Sequence, residues 1–322
     1  MCKILRGGFI ESMHVAYGVV VDGDGGIVNS WGDPYYLTCV RSSLKPFQAS
    51  AAVLEGATDS VGFTSEELAL MCASHNGEEI HVKTAMNMME KLGFDLSYYE
   101  CGSHLPYDKS SKFTLIKNSL EPTPLHNNCS GKHAGMLCLA KYLKVNPKGY
   151  TQKEHPVQRL ILERIKQYAN LDDFPLAVDG CSAPTPFIPI YHIALMFQKL
   201  AGEQYSELNT LFDAMISHPY LIAGKNRFDT DFITTMDGRA VTKVGGEAVR
   251  GMGIRKKDGE VYGIAIKILD GNQRSLSLVT MTILSELNLL SAGELKKLEK
   301  YNQSVIKNHR SLNVGSIEVD IS

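Results

Sequence analysis

Ser42 and Lys45 stand three residues apart in Arg41-Ser42-Ser43-Leu44-Lys45-Pro46-Phe47, a spacing that puts both on one side of a helix start. A serine hydroxyl is a poor nucleophile until a base takes its proton, and a lysine desolvated enough to be neutral is such a base. The same S-x-x-K spacing marks penicillin-binding proteins and class A β-lactamases. Ser43 and Lys45, two apart, diverge. The plainer alternative has Ser42 or Ser43 capping a helix and Lys45 as a surface charge.

Four further segments carry reactive side chains. Cys72-Ala73-Ser74-His75-Asn76-Gly77-Glu78 joins an apolar helix end to a new helix start. Ser74 reads as a second nucleophile or a substrate-binding hydroxyl, and Asn76 before Glu78 and Glu79 reads equally as a helix cap. In Asn127-Asn128-Cys129-Ser130-Gly131-Lys132-His133-Ala134-Gly135-Met136 a thiol lies beside Lys and His at a helix start. That setting depresses a thiol pKa and suits a nucleophile or a metal ligand. It is no phosphate cradle, because His126 stands where a Walker A loop needs its first glycine. Val178-Asp179-Gly180-Cys181-Ser182-Ala183-Pro184 is a fixed turn. If Cys181 and Cys129 meet, two thiolates with Lys132, His133 or Asp179 could hold Zn²⁺, although no CxxC or HxxxH spacing supports it. Thr242-Lys243-Val244-Gly245-Gly246-Glu247 places a lysine on a strand edge before glycine, like the K-T-G element of S-x-x-K enzymes. An exposed lysine at a Gly-Gly hairpin is the other reading. Nearby, Arg227-Phe228-Asp229-Thr230-Asp231 could bind a charged head group or cap a helix.

The elements that must position these residues follow from periodicity. Strands are predicted at 14–21 and 26–31, joined by the Asp22-Gly23-Asp24-Gly25 turn. Leu44, Phe47, Ala51 and Leu54 recur at helical spacing. Thr64 to Glu67 is a capping box, and 78–92 is an amphipathic helix stopped by Gly93. Further helices fit 133–143, 154–169, 186–200, 203–217 and 273–288, with a short one near 291–301. Strand-like runs return over 242–244, 247–254 and 261–269 between glycine-rich turns. Strands thus lie near both ends of the chain and helices fill the middle. The expected fold is α+β, with one antiparallel sheet built from the N-terminal hairpin and the late strands, flanked by helices with a helical lobe. A single domain is expected over residues 1–322.

Taken in order, Arg-Ser-x-x-Lys-Pro, Cys-Ala-Ser-His-Asn-Gly-Glu, Asn-Asn-Cys-Ser-Gly-Lys-His-x-Gly-Met, Asp-Gly-Cys-x-x-Pro-x-Pro and Lys-x-Gly-Gly-Glu resemble the asparaginase II (rhizobial-type) family of L-asparaginases. The opening Arg-Gly-Gly-Phe-Ile-Glu-Ser-x-His matches too, so the likeness runs from about residue 5 beyond residue 270. The resemblance implies a fold like serine β-lactamases and glutaminases. It also implies hydrolysis of L-asparagine to L-aspartate and ammonia in a homodimer. It implies two serine–lysine pairs, Ser42 with Lys45 and Ser74 with Lys243, Lys225 and Lys267 being the other candidates for the second lysine. It implies Zn²⁺ held by Cys129, Lys132 and Cys181, supporting the site rather than obligatory for turnover, with Asp179 beside it and Arg41 close to the first serine. Arg41, Asp179 and His133 are the expected substrate contacts.

Composition bounds these expectations. Hydrophobic residues make up 44% and charged residues 21% of 322, with a net charge of −2. A real core is expected, and no basic field draws the chain to nucleic acid or anionic lipid. No stretch has the length of a membrane span. Seven irregularly spaced cysteines read as reduced thiols of a cytoplasmic protein, and the N-terminus lacks a signal-peptide pattern. Within the enzymes, a glutaminase or broader serine amidase and a zinc-hydroxide amidohydrolase are the competing classes. Outside them stands an amino-acid sensor on the same fold.

Overall fold

In the computed structural model, which describes residues 1–320, the chain begins with β1 (Cys2–Arg6), β2 (Phe9–His14), β3 (Ala16–Val21), β4 (Ile27–Trp31) and β5 (Leu37–Cys39). Helices follow: α1 (Lys45–Leu54), α2 (Ala57–Ser60), α3 (Ser65–Met71), α4 (Glu79–Leu92), α5 (Lys109–Lys117), α6 (Ser130–Tyr142) and α7 (Pro156–Ala169). Then come β6 (Leu176–Val178), β7 (Pro184–Pro189), α8 (Ile190–Ala201), α9 (Ser206–Ser217), α10 (Pro219–Ala223) and α11 (Phe228–Met236). The chain closes with β8 (Ala240–Gly245), β9 (Val249–Arg255), β10 (Val261–Ile268), α12 (Leu276–Glu286), α13 (Ala292–Lys297), β11 (Val305–Lys307) and β12 (Asn313–Val319).

The fold is α+β. A five-stranded antiparallel sheet has the order β4-β3-β10-β9-β8, so the N-terminal hairpin pairs with the late strands as the sequence pattern requires. Asp22 Oδ1 accepts from Asp24 N and Gly26 N at 3.0 and 2.8 Å and shapes the β3–β4 turn. Period-two alternation divides this sheet between two apolar clusters. Met252, Ile254, Ile264, Ile266 and Ile268 face α12 in one cluster. Val241, Val249 and Ala265 face the helices in the other. The helical face is paved with glycine where α8 crosses. A Cβ on Gly251 would fall 1.8 Å from the Phe197 ring, and one on Gly263 2.0 Å from Ala194 O, so α8 rests directly on the sheet backbone.

Several elements differ from the sequence reading. A second sheet, order β11-β12-β1-β2, joins the two ends of the chain. Its strands are short and half exposed, and give no clean alternation. The helix expected over 186–200 is a strand to Pro189 and a helix from Ile190. Pro186 and Pro189 have no N–H and cannot continue a helix interior, and they seat β7 between β5 and β6 in a small third sheet instead. The helices α5, α10 and α11 were not anticipated. No helix among the described residues is long and apolar enough to cross a membrane, and all seven cysteines are free.

Candidate active site

Three close approaches assemble the site. Gly131 and Gly135 lie one turn apart on α6 and let it touch the end of α3. A Cβ on Gly131 would meet Leu70 O at 2.2 Å, and one on Gly135 the Met71 side chain at 2.6 Å. The third sheet sets Val40 N on Pro186 O at 3.1 Å and so brings Arg41 to the Asp179–Ser182 turn. Finally, the loop after α10 clamps the turn after α3, with Ser74 N on Ile222 O and Asn76 N on Ala223 O, both 2.9 Å. Arg41 and Ser182 both hold a positive φ, +52° and +71°, a backbone state that non-glycine residues adopt mainly where surroundings enforce it.

The result is a cavity of about 620 Å³, lined among others by Arg41, Ser42, Ser74, Asp179, Cys181 and Arg227. Behind Ser74 lie two wholly buried lysines. Lys243 Nζ donates to Ser74 Oγ at 2.8 Å and to Val244 O at 2.7 Å. Lys45 Nζ donates to Ser74 Oγ at 3.0 Å, to Asn128 O at 3.0 Å and to Ala73 O. Lys243 is opposite Gly251 in the β8–β9 register, which puts it on the sheet face turned to the helices. The other candidates go elsewhere: Lys225 is exposed, and Lys267 Nζ donates to Glu247 O.

Burial lowers both ammonium pKa values, Lys243 to about 7 against the partly opposing charge of Asp229. The charge of Lys45 also disfavours the Lys243 proton. Asp229 stands at the start of α11, accepts from Val244 N at 2.9 Å and faces buried Arg250 at 3.6 Å. His75, next to Ser74, is not a base: Gly77 N donates to its Nδ1, its Nε2 bonds Ser130 Oγ at 2.9 Å, and burial pushes its pKa far down.

The expected pairing of Ser42 with Lys45 is not formed. Ser42 lies in a 3₁₀ turn, Arg41–Leu44, lines the cavity, and makes no side-chain hydrogen bond among the described residues. Lys45 opens α1, and the packing of α1 on α3 and α6 carries its amine away to Ala73, Ser74 and Asn128. Both lysines thus converge on one serine.

Beside them, Lys132 Nζ approaches Cys181 Sγ at 2.9 Å, and Asp179 Oδ2 lies 3.8 Å from the same sulfur. A hydrogen bond from Cys129, and the nearby Lys132, lower the Cys181 thiol pKa, while that bond and burial raise Cys129. Burial opposes charge on Lys132, yet the Cys181 and Cys129 sulfurs hold its pKa up. Arg41 Nε donates to Asp179 Oδ1 at 2.7 Å. His133, expected to touch substrate, is wholly buried and outside the cavity wall. Its Nδ1 is bound to Tyr150 OH at 2.7 Å because α6 turns that face into the core. Sequence reasoning did not single out His104, Tyr107 or Gln273 in the wall. These come from loops or isolated positions without a pattern.

The family model described as L-asparaginase II matches residues 2–319. The chain belongs to the L-asparaginase II family. Among solved structures, the chain is similar to the one titled "Crystal Structure Analysis of Mglu in its native form", at 14% identity and a TM-score of 0.46. The alignment covers 87% of this chain and 66% of that one, just under two thirds of its length. No curated protein matches the sequence.

Proposed function

We propose that the protein is an L-asparaginase in which Ser74 is the nucleophile and Lys45 and Lys243 form its base. The observation that carries this reading is the convergence of two buried amines on one serine hydroxyl in the cavity wall. A neutral lysine takes the Ser74 proton as Oγ bonds to the side-chain amide carbon. The protonated lysine then delivers that proton to the departing nitrogen, the C–N bond breaks, and ammonia leaves. A water molecule attacks the acyl-serine as its proton passes to the same amine, and the amine returns that proton to Ser74 Oγ as the C–Oγ bond breaks to release L-aspartate. Ser42, which lines the same cavity and has no side-chain hydrogen bond among the described residues, is free to bond the reacting amide. Asp179, held by Arg41, supplies a charge complementary to the α-ammonium group of the substrate.

Cys129, Lys132 and Cys181 fit zinc in donor type, two sulfurs and an amine at one wall, although no group of three His, Cys, Asp or Glu suited to a metal occurs among the described residues. Buried His133 lies beside this set and interacts with the Cys181 sulfur. Bound zinc would supply positive charge to that wall and displace the Lys132 proton. Cytoplasmic residence and a homodimer complete the reading. Free thiols support the first, and the second is tested by light scattering.

The test is ammonia release from L-asparagine and L-glutamine. Ser74→Ala is expected to lose at least about 10³-fold in kcat, and Ser42→Ala about 10- to 100-fold. Equal activity of Ser74→Ala and wild type would overturn the assignment, and faster release from L-glutamine would make the enzyme a glutaminase. Retained turnover in both serine variants, with loss on chelation, would favour zinc-bound hydroxide instead.

A further inference from the structure

Two guanidinium groups line the cavity, and they differ in their carboxylate partners. Arg41 is matched by Asp179. Arg227 has no carboxylate partner among the described residues. Its Nη1 donates to the amide oxygen of Asn76 at 2.7 Å, which leaves Nε and Nη2 uncommitted.

Arg227 is also held in the same frame as the nucleophile. Asn76 lies two residues after Ser74, and its Nδ2 bonds back to Lys225 O at 3.1 Å. Lys225 N donates to Glu78 Oε1 at 2.9 Å. Gly224 permits this clamp, since its φ is +100° and a Cβ there would fall 2.2 Å from Glu78 Oε1. Asn76 and Glu78 therefore have a task beyond starting α4. They fix the arginine loop against the serine turn, so hydroxyl and guanidinium keep a constant separation.

We propose that Arg227 receives the α-carboxylate of the substrate and thereby selects amino-acid amides over amides that lack it. This rests on the amidase reading of Ser74. A planar guanidinium with two free donors matches a carboxylate, and an unpaired charge in the cavity gains most from an anionic ligand. Asp179 then takes the α-ammonium group, and Arg41 holds Asp179 in place.

Arg227→Gln and Arg227→Lys are compared with wild type on L-asparagine and on 3-aminopropanamide, which is asparagine without its α-carboxylate, with melting temperatures measured alongside. For Arg227→Gln, kcat/KM on asparagine is expected to fall about 10- to 100-fold, mainly through KM. Any activity on 3-aminopropanamide should stay within about twofold, because the lost bond is one that this substrate never makes. Arg227→Lys should recover part of the loss. L-Aspartate binding by calorimetry should weaken by a similar factor in Arg227→Gln, and it decides the matter where wild type does not turn over 3-aminopropanamide. An unchanged KM for asparagine with unchanged aspartate affinity would overturn the proposal, as would equal loss on both amides. Absence of amide hydrolysis by wild type would sink the Ser74 reading instead, leaving the aspartate measurement to judge Arg227.

Discussion

Replacing Lys243 by methionine should make the protein more stable and much less active, and the stability gain should shrink as pH rises. Lys243 is wholly buried, with a pKa lowered from 10.5 to about 7. Below about pH 7 the folded state holds a charge that burial disfavours, at a cost of about 5 kcal/mol for a shift of roughly 3.5 units. Between the two pKa values the unfolded chain binds a proton that the folded chain does not, so folding stability rises with pH. At pH 9 the remaining cost is about 2 kcal/mol. Methionine removes the cost at every pH and forfeits the bonds to Ser74 and Val244 O, about 1 kcal/mol each and largely independent of pH. The advantage of Lys243→Met over wild type in urea unfolding should therefore fall by about 3 kcal/mol from pH 6 to pH 9. In the active enzyme, kcat/KM for ammonia release should rise through an ionisation near 7, since the base must be neutral. A pH-independent stability difference, together with unaltered turnover in the variant, would refute the account of Lys243 as a desolvated base.

Other outcomes follow from the same geometry. Asp179→Asn leaves Arg41 without its counter-charge and should raise KM for asparagine about 10-fold with a smaller change in kcat, measured by initial rates. Gly251→Ala sets a methyl 1.8 Å from the Phe197 ring and should cost about 1–3 kcal/mol in denaturant unfolding, with any activity loss following the folded fraction. Cys181→Ala removes the sulfur nearest Lys132 and should lower bound zinc, measured by mass spectrometry of the intact protein, from about one per chain to none. Zinc retained by that variant would place the metal elsewhere.

Much of the architecture was legible locally. The 3–4 spacing of Leu44, Phe47 and Ala51, the Thr64 capping box and the Asp22 turn need only short-range chemistry, and the structure has each of them. The prolines of β7 were visible in the sequence, yet their meaning was not, because a strand flanked by two others is a tertiary fact. The second sheet was hidden for the same reason: β1 pairs with β12 across nearly the whole chain, and neither strand alternates cleanly.

At the site, residue types and order were enough to single out Ser42, Lys45, Ser74, Cys129, Lys132, Cys181 and Lys243 as one set. Spacing alone joined Ser42 to Lys45, because at three residues apart the two share a helix side. Partnership was decided by packing. Lysine has a long side chain, so its amine goes where buried acceptors await it, and those lie at Ala73, Ser74 and Asn128. Strand register turned Lys243 toward the same hydroxyl. Charge compensation in the cavity, with Arg41 matched by Asp179 and Arg227 without a carboxylate partner among the described residues, was likewise settled by contacts between distant segments that no local pattern encodes.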